Sequence, residues 1–186
     1  TPLTDDGDWY MWTARVADPS GFEAGGGLLL VSTDPHGGIA NVTKHTIEAI
    51  DGAELRLDVQ PRKNHWITHN ARAATLFPVV TANWAENISI AHLVIAGKRS
   101  QNDPLDGNHG GCIFMQDCQQ VTIDSVHACN NNGDGISWQI CNEVTVRDCK
   151  STGHAGLGLH PGSGSQRPVI KNNLIEDCET GLFWCW

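Results

Sequence analysis

The sequence predicts an all-β protein in which a solenoid of stacked coils follows a smaller antiparallel β region. Three observations predict this fold class. The second half of the chain repeats itself at offsets between 21 and 25. Each repeat carries short strands rich in β-branched residues, with no apolar period of the helical kind between them. The composition, with 20 Gly and 7 Trp residues, also suits a β-rich protein better than a helical bundle.

The clearest repeat pairs IFMQDCQQVTI with ISWQICNEVTV. The two segments, residues 113–123 and 136–146, align at an offset of 23, and Cys118 and Cys141 fall in register. The next units are predicted at offsets of 21, from Ile136 to Leu157, and 25, from Leu157 to Leu182. Asparagine suits the corners between strands because it tolerates left-handed backbone, and the candidate corner residues are Asn130, Asn131, Asn132, Asn172 and Asn173.

The N-terminal segment, 1–74, follows a different pattern. The alternating segments LLLVSTD, KHTIEAI and ELRLDV are separated by DPHGG and DGA turns, which predicts a small antiparallel β cap or insertion over residues 1–74. Residues 75–186 form the predicted solenoid, which stops at GLFWCW within a repeat. An uncovered solenoid end invites edge pairing, so we expect a further C-terminal region or another copy of the chain to cover it.

Charge and hydropathy exclude two classes of partner. The formal net charge is -9, and no run of basic residues exceeds two, so binding to a nucleic-acid backbone is not expected. No segment approaches eighteen consecutive apolar residues, so no membrane partner is expected either. The seven cysteines are an odd number, and at least one thiol is expected to stay free unless it pairs between chains.

Polar side chains from successive coils are predicted to share one outward strip. Strand alternation turns Ile136 and Trp138 inward and Ser137 and Gln139 outward. Neighbouring coils stack roughly 4.8 Å apart, which would bring together Asp106, His109, Asp134, Gln139, His154 and His160. The glycines of GHAGLGLHPGSGSQRP (153–168) would keep the outside of this strip open, and some would permit positive φ at the corners.

The strands CIFMQ, GISWQ, GLGLH and GLFWC carry a resemblance to the right-handed parallel β-helix of the pectate-lyase-like superfamily, over about residues 75–186. Within them, Asn132-Gly-Asp134-Gly and Gly153-His154-Ala-Gly resemble motifs of polygalacturonase-type glycoside hydrolases. The resemblance implies that Asp134 is an acid or base and that His154 orients water or substrate. It also implies a secreted, extracellular or periplasmic protein that acts on a polysaccharide or oligosaccharide.

Glycoside hydrolysis needs two carboxyl groups, which in inverting enzymes lie about 6.5–9.5 Å apart. Aspartates one or two coils apart meet that distance, so Asp134 and Asp106 are the predicted catalytic pair, with Asp103 as a substitute. The side chains predicted to bind substrate are His109, Gln139, His160, Arg167 and Lys171. No cofactor is expected, and the absence of CxxC spacing argues against a Cys/His metal site.

Two other functions stay open. The paired aspartates of the family are Gly133-Asp134 here, and its cationic position falls in GLFW. A polysaccharide lyase would take Lys171, Arg167 or a histidine as its base, with calcium as a possible cofactor. A non-catalytic carbohydrate-binding or adhesin-type solenoid would use the strip for contact alone, with Trp66 and Trp84 as stacking surfaces for sugars.

Structural roles compete with the catalytic ones. Asp is common in turns, so Asp134 is also a candidate cap for the Asn-Gly-Asp-Gly corner. His154 and His160 are candidates for corner hydrogen bonds. Cys118 and Cys141 are close enough in principle for a disulfide, although stacked side chains that run parallel do not face each other.

Overall fold

A computed structural model describes residues 1–34, 41–76, 79–101 and 108–185. The chain divides into two compact units, Thr1–Phe77 and Pro78–Trp186. The first is an antiparallel sheet and the second a stack of parallel coils. The predicted all-β class, with a parallel β-helix after an N-terminal antiparallel region, is confirmed.

The first unit is one five-stranded antiparallel sheet in the order β1-β4-β3-β2-β5. Its strands are β1 (Thr13–Arg15), β2 (Gly27–Ser32), β3 (Asn41–Asp51), β4 (Glu54–Leu57) and β5 (Arg72–Leu76). The three strands predicted from alternation are confirmed as β2, β3 and β4. Between β3 and β4 the chain turns through Gly52, whose φ of 56° favours glycine. A short 3-10 helix, Ile67–His69, precedes β5.

Alternating apolar residues give this sheet one buried face. Leu28, Leu30, Ile47, Leu55 and Leu57 form the centre of its core. Ser32, on strand β2, is also buried, and its hydroxyl lies 3.2 Å from Nδ1 of the buried His65. Burial lowers the pKa of His65 to about 4, so this imidazole is neutral near pH 7.

The second unit contains three parallel sheets. Sheet I holds β6 (Val80–Asn83), β9 (Gly111–Gln116), β12 (Asp134–Gln139), β15 (Leu157–Pro161) and β18 (Thr180–Leu182). Sheet II holds β7 (Glu86–Ala91), β10 (Gln119–Asp124), β13 (Asn142–Arg147) and β16 (Val169–Lys171). Sheet III holds β8 (Val94–Ala96), β11 (His127–Cys129), β14 (Lys150–Thr152) and β17 (Leu174–Glu176). A second 3-10 helix, Arg99–Gln101, follows β8.

One residue from each coil stacks on its equivalent in the next, which builds a continuous core. In sheet I, Ile113, Ile136 and Leu159 are fully buried in register, and Trp138 lies beside Met115. Sheet II contributes Val121 and Val144 to the same core. The predicted inward faces of GISWQ and CIFMQ are therefore confirmed.

From β9 onward the offset between successive sheet I strands is constant, whereas Val80 of β6 lies opposite Ile113, a step of 33. Ile136 lies opposite Leu159, and Leu159 lies opposite Leu182, so both steps equal the offset of 23 between Ile113 and Ile136. The predicted offsets of 21 and 25 are each wrong by two positions. A slip of two keeps every side chain on its own face of a strand, so Leu157 and Leu159 fit the apolar pattern equally well. The correction places His160 opposite Ser137 instead of Gln139.

Four residues per coil have left-handed backbone, and each has equivalents in neighbouring coils. The corner after sheet I uses Trp84, Asp117, Ile140 and Gly164, and the start of sheet II uses Asn87, Gln120, Glu143 and Arg167. The corner after sheet II uses His92, Ser125, Asp148 and Asn172, and the corner after sheet III uses Lys98, Asn130, Gly153 and Asp177. The predicted left-handed corner is confirmed for Asn130 and Asn172, whereas Asn131, Asn132 and Asn173 are not among the left-handed residues.

Candidate functional site

A carboxylate and an imidazole meet on sheet I. Asp134 begins β12 and is 2% exposed, and its Oδ2 lies 2.6 Å from Nδ1 of His160 on the next coil. The other carboxylate oxygen, Oδ1, accepts the backbone N–H of Leu157 at 2.8 Å. Both oxygens are therefore engaged, and the carboxylate fixes the orientation of His160. We call Asp134 and His160 the dyad.

The dyad leaves one imidazole nitrogen available as a base. A hydrogen bond from Nδ1–H to the carboxylate leaves Nε2 with its lone pair. Nε2 of His160 lies 3.5 Å from Sγ of Cys185, and the ring meets Phe183 edge to face with centroids 6.2 Å apart. His160 itself is 3% exposed. The arrangement is a carboxylate, an imidazole and a thiol in series.

His154 lies next to the dyad but inside the coil. Its Nδ1 accepts the backbone N–H of Asn131 at 3.1 Å, and the Asn131 amide donates to the backbone oxygen of Asp134 at 2.6 Å. Within the described residues its Nε2 has no hydrogen bond of good geometry. Burial lowers the pKa of His154 to about 4, and the Ala128 carbonyl and the Asp134 carboxylate only partly oppose that shift. The imidazole is neutral and 1% exposed.

The glycines of this region make room for the buried polar groups. A Cβ on Gly135 would lie 2.6 Å from Nε2 of His154, and one on Gly156 would lie 2.5 Å from Oδ1 of Asp134. The expectation that the glycines keep the outside of a strip open is wrong, because these two positions accommodate groups packed within the coils. Positive φ at the corners is confirmed for Gly153, at 71°, and Gly164, at 76°.

The outward face of sheet I is covered over its central coils. Phe114 and Ser137 lie outside the apolar core of the coils, as alternation predicts, yet both are buried. Gln139 is buried too, and its amide donates to Oδ1 of Asn108 at 3.3 Å. The prediction of an exposed strip is therefore wrong for Asp134, Gln139, His154 and His160. Their predicted contacts with substrate stay predictions.

Other predicted site residues lie apart from the dyad. Asp106 and Asp103 lie outside the described residues, so the predicted Asp134–Asp106 pair stays a prediction. His109 is partly exposed, two residues before β9. Arg167 forms an ion pair with Glu143 at 3.1 Å, and Lys171 lies opposite Arg147 in sheet II. These two cations are not brought to the dyad.

A groove runs along the corner between sheets I and II. Its volume is about 440 Å³, and Trp84, Gln119, Ile140, Asn142 and Gln166 are among its lining residues. Trp84 has left-handed backbone and its side chain is 76% exposed. The corner follows directly on the sheet I strands that carry the dyad, since Ile140 succeeds the last residue of β12. We call this the Trp84 groove.

Sequence reasoning missed the partners that surround the dyad. The sequence predicts no role for the thiol of Cys185 and predicts Asn131 only as a corner residue. The constant offset of 23 is the signal that would have found them, because it places His154 over Asn131 and His160 over Ser137.

All seven cysteines are free. Sγ of Cys141 accepts the backbone N–H of Cys118 at 3.4 Å, so the two side chains stack without bonding. Among the described residues, no group of three or more His, Cys, Asp or Glu side chains is arranged to hold a metal ion. In the same part of the chain, no helix is long and apolar enough to cross a membrane.

Comparison with known proteins agrees with the coil architecture. A family model described as a right handed beta helix region matches residues 100–185. The curated proteins compared with the chain include no match.

Solved structures similar to the chain include three phage tailspikes. The Gp54 tailspike of Acinetobacter baumannii bacteriophage AP22, in complex with capsular saccharide, is 12% identical with a TM-score of 0.41, over 96% of this chain and 37% of the tailspike. The gp49 tailspike of Pseudomonas phage LKA1 is 12% identical with a TM-score of 0.39, over 95% and 33%. The gp61 tailspike of Pseudomonas phage phi297 is 11% identical with a TM-score of 0.35, over 94% and 32%.

The chain thus spans about a third of the length of these tailspikes. At such low identities and TM-scores, the likeness assigns no function. The stacked register of sheets I to III, together with the match over residues 100–185, identifies a right-handed parallel β-helix.

Proposed function

We propose that this β-helix binds and cleaves a polysaccharide. The observation that carries the proposal is the Trp84 groove, an exposed indole with amide-bearing neighbours, adjoining the sheet that holds the dyad. An aromatic face packs against the apolar side of a sugar ring, and the amides of Gln119 and Gln166 can hydrogen-bond its hydroxyls.

The groove and the dyad lie within reach of one extended ligand. His160 precedes Gly164, in the groove wall, by four residues. At the rise of a strand this separation is at most about 13 Å. A glycan seated on Trp84 therefore lies at the corner that follows the strand containing His160.

In the proposed reaction, His160 transfers the proton and Asp134 orients it. Asp134 has both oxygens engaged and is buried, so it acts through the imidazole and is a positioning residue. In hydrolysis, Nε2 of His160 would activate water, and Asp106 is the proposed acid for the leaving oxygen. In a lyase, Nε2 would instead remove the proton beside a uronate carboxyl group. The described residues offer one oriented base, which suits the lyase as the second candidate.

A glycan-binding module without turnover would use the same groove. Trp84 and the groove amides are sufficient for recognition, whereas the dyad is needed only for cleavage. The two functions differ in whether the bound glycan is broken.

The test is a polysaccharide panel read in three ways: binding by the intact protein, new reducing ends, and absorbance of unsaturated uronides. Trp84→Asn keeps the left-handed corner and removes the indole, and we expect it to weaken glycan binding by about tenfold. His160→Gln should abolish cleavage and leave binding unchanged. Reducing ends without absorbance indicate a hydrolase, and absorbance indicates a lyase.

Trp12→Asn is the matched control, because Trp12 is also exposed but belongs to the first unit and has no proposed contact with sugar. If the wild-type protein binds a glycan without cleaving it, the protein is a binding module. No binding to any glycan, or equal loss of binding in Trp84→Asn and Trp12→Asn, would overturn the proposal.

A further inference from the structure

We propose that Cys185 is a nucleophilic thiol activated by the dyad, and that it accepts an acyl group from an ester. The inference uses the same imidazole as the proposed glycan chemistry but does not depend on it. Its tests contain no glycan, so failure of one proposal is distinguishable from failure of the other.

The geometry orders three groups for proton transfer. Asp134 Oδ2 lies 2.6 Å from Nδ1 of His160, and Nε2 of His160 lies 3.5 Å from Sγ of Cys185. Because the carboxylate accepts the Nδ1 hydrogen, Nε2 presents a lone pair to the thiol. The thiol proton moves to Nε2, and the carboxylate compensates the positive charge that forms on the ring. The product is a thiolate beside an imidazolium.

The surroundings of the dyad support this transfer. The side chains of Asp134 and His160 are 3% and 4% exposed, so water screens their interaction little. The ring is also held in place by the edge of Phe183. A base that is pre-oriented loses no rotational freedom when it takes the proton.

The other described thiols have different partners. Cys178 is also partly exposed, but its thiol is placed to donate to the backbone oxygens of Glu176, at 3.3 Å, and Ser151, at 3.8 Å. Burial raises the pKa of Cys112 to about 12 and that of Cys141 to about 11. Among the described cysteines, Cys185 alone has its thiol within hydrogen-bonding distance of an imidazole.

The order of carboxylate, imidazole and thiol indicates the class of substrate, because a thiolate formed beside a general base attacks the carbonyl group of an ester. The thiolate would attack the carbonyl carbon, the bond to the leaving oxygen would break, and the imidazolium would return its proton to that oxygen. A thioester on Sγ and a free alcohol result. Water then releases the acid and restores the thiol.

Alkylation by iodoacetamide tests the activation in the wild-type protein. Each cysteine is followed by peptide mass spectrometry, with Cys178 as the internal reference. We expect Cys185 to react at least about tenfold faster than Cys178 at pH 7. Equal rates for the two thiols would overturn the proposal without requiring any variant.

Two variants then identify the base. His160→Gln and Asp134→Asn should lower the Cys185 rate about tenfold and leave the Cys178 rate unchanged, which also reports that the coils remain folded. A Cys185 rate unaffected by His160→Gln would contradict activation by the dyad. Asp148→Asn, an exposed corner aspartate, is the matched control.

The acyl step is tested with p-nitrophenyl acetate. We expect one equivalent of p-nitrophenol per protein in the first turnover, with the acetyl group on Cys185 and none in Cys185→Ser. Acetylation of Cys178 to the same extent, or none on Cys185, would overturn the assignment of an acyl acceptor.

Discussion

Asp134 and Leu157 are joined across neighbouring coils by a hydrogen bond of 2.8 Å from the Leu157 backbone N–H to Oδ1. Their separation in sequence equals the offset between paired strands of sheet I. The carboxylate that orients His160 therefore also connects one coil to the next. Changes at Asp134 should consequently affect both stability and chemistry.

Asp134→Asn is expected to lower the free energy of unfolding by about 2 kcal/mol. The Asn oxygen can still accept the Leu157 N–H, but its NH2 group faces Nδ1 of His160 and forces that nitrogen to become an acceptor. The proton then moves to Nε2, which ceases to be a base. Chemical denaturation measures the stability, and Asp148→Asn, at an exposed corner, should change it by less than about 0.5 kcal/mol. Equal effects of the two substitutions would contradict the assigned role of Asp134.

The stability of the β-helix is expected to fall in acid because His154 is buried as a neutral ring. Its pKa is lowered from 6.5 to about 4 by burial, so the unfolded chain binds a proton in this window that the folded chain does not. The contribution is complete above pH 6.5 and is lost as the pH falls towards 4, by up to about 3 kcal/mol.

Denaturation curves at several pH values measure this effect. His154→Gln keeps an acceptor for the Asn131 N–H and should remove the His154 part of the pH dependence. His65 has a similarly lowered pKa in the first unit, so part of the acid sensitivity should remain. His92→Asn is the control, since His92 is exposed at a left-handed corner. If the free energy of unfolding varies with pH equally in His154→Gln and in the wild-type protein, His154 is not a source of the acid sensitivity.

Gly135→Ala is expected to destabilise the protein by about 2–3 kcal/mol. A Cβ there would lie 2.2 Å from Oγ of Ser151 and 2.7 Å from the backbone oxygen of Gly158, and neither can yield without disturbing a hydrogen bond between them. Gly181 occupies the equivalent position two coils later, where a Cβ would find its nearest neighbour, Ile175, at 3.9 Å. Thermal unfolding of Gly135→Ala and Gly181→Ala should therefore differ, and similar melting temperatures would contradict the close packing.

The buried thiols are expected to stay unmodified until the protein unfolds. Burial raises the pKa of Cys112 to about 12 and that of Cys141 to about 11, so both are protonated at pH 8. Their alkylation should follow the unfolding curve as urea is added, measured by peptide mass spectrometry. Rapid modification of Cys112 in the absence of urea would show that the core opens locally.

The coil architecture was predictable because its signal is repeated. Cys118 and Cys141 in register, with Val121 and Val144 behind them, are sufficient to predict adjacent coils, and both pairs lie as expected. The predicted register of the third coil is wrong by two residues. Leu157 and Leu159 are both apolar and two residues apart, so alternation does not distinguish which of them pairs with Ile136. The strands of sheet III were not predicted, because strands of three residues such as Lys150–Thr152 are too short to show an alternation of apolar and polar side chains.

The sequence predicts which residues of the candidate site lie near one another, but not which side chains form contacts. Stacking brings Asp134 near His154 and His160, but the rotamers of these side chains decide which imidazole the carboxylate meets. His160 faces outward on β15 and receives the carboxylate, whereas His154 turns inward against Gly135. Ser137 and Phe114 are buried although alternation places them outside the apolar core, and Gln139 on the same face contacts Asn108, which is distant in sequence; strand alternation carries no information about such contacts.

The four left-handed positions of each coil have a consequence for how this architecture changes in length. Because the bends are set by backbone dihedrals at equivalent places, a duplicated coil brings its own complete set of bends and can stack without adjusting its neighbours. An insertion confined to one corner, by contrast, leaves the strands on either side in register: the offset is 23 for Trp138 and Pro161 before the corner and 24 for Thr145 and Val169 after it, so residues 161–168 hold one extra residue. Whole coils are thus the unit in which the scaffold lengthens, and corners are the places where new surface is added.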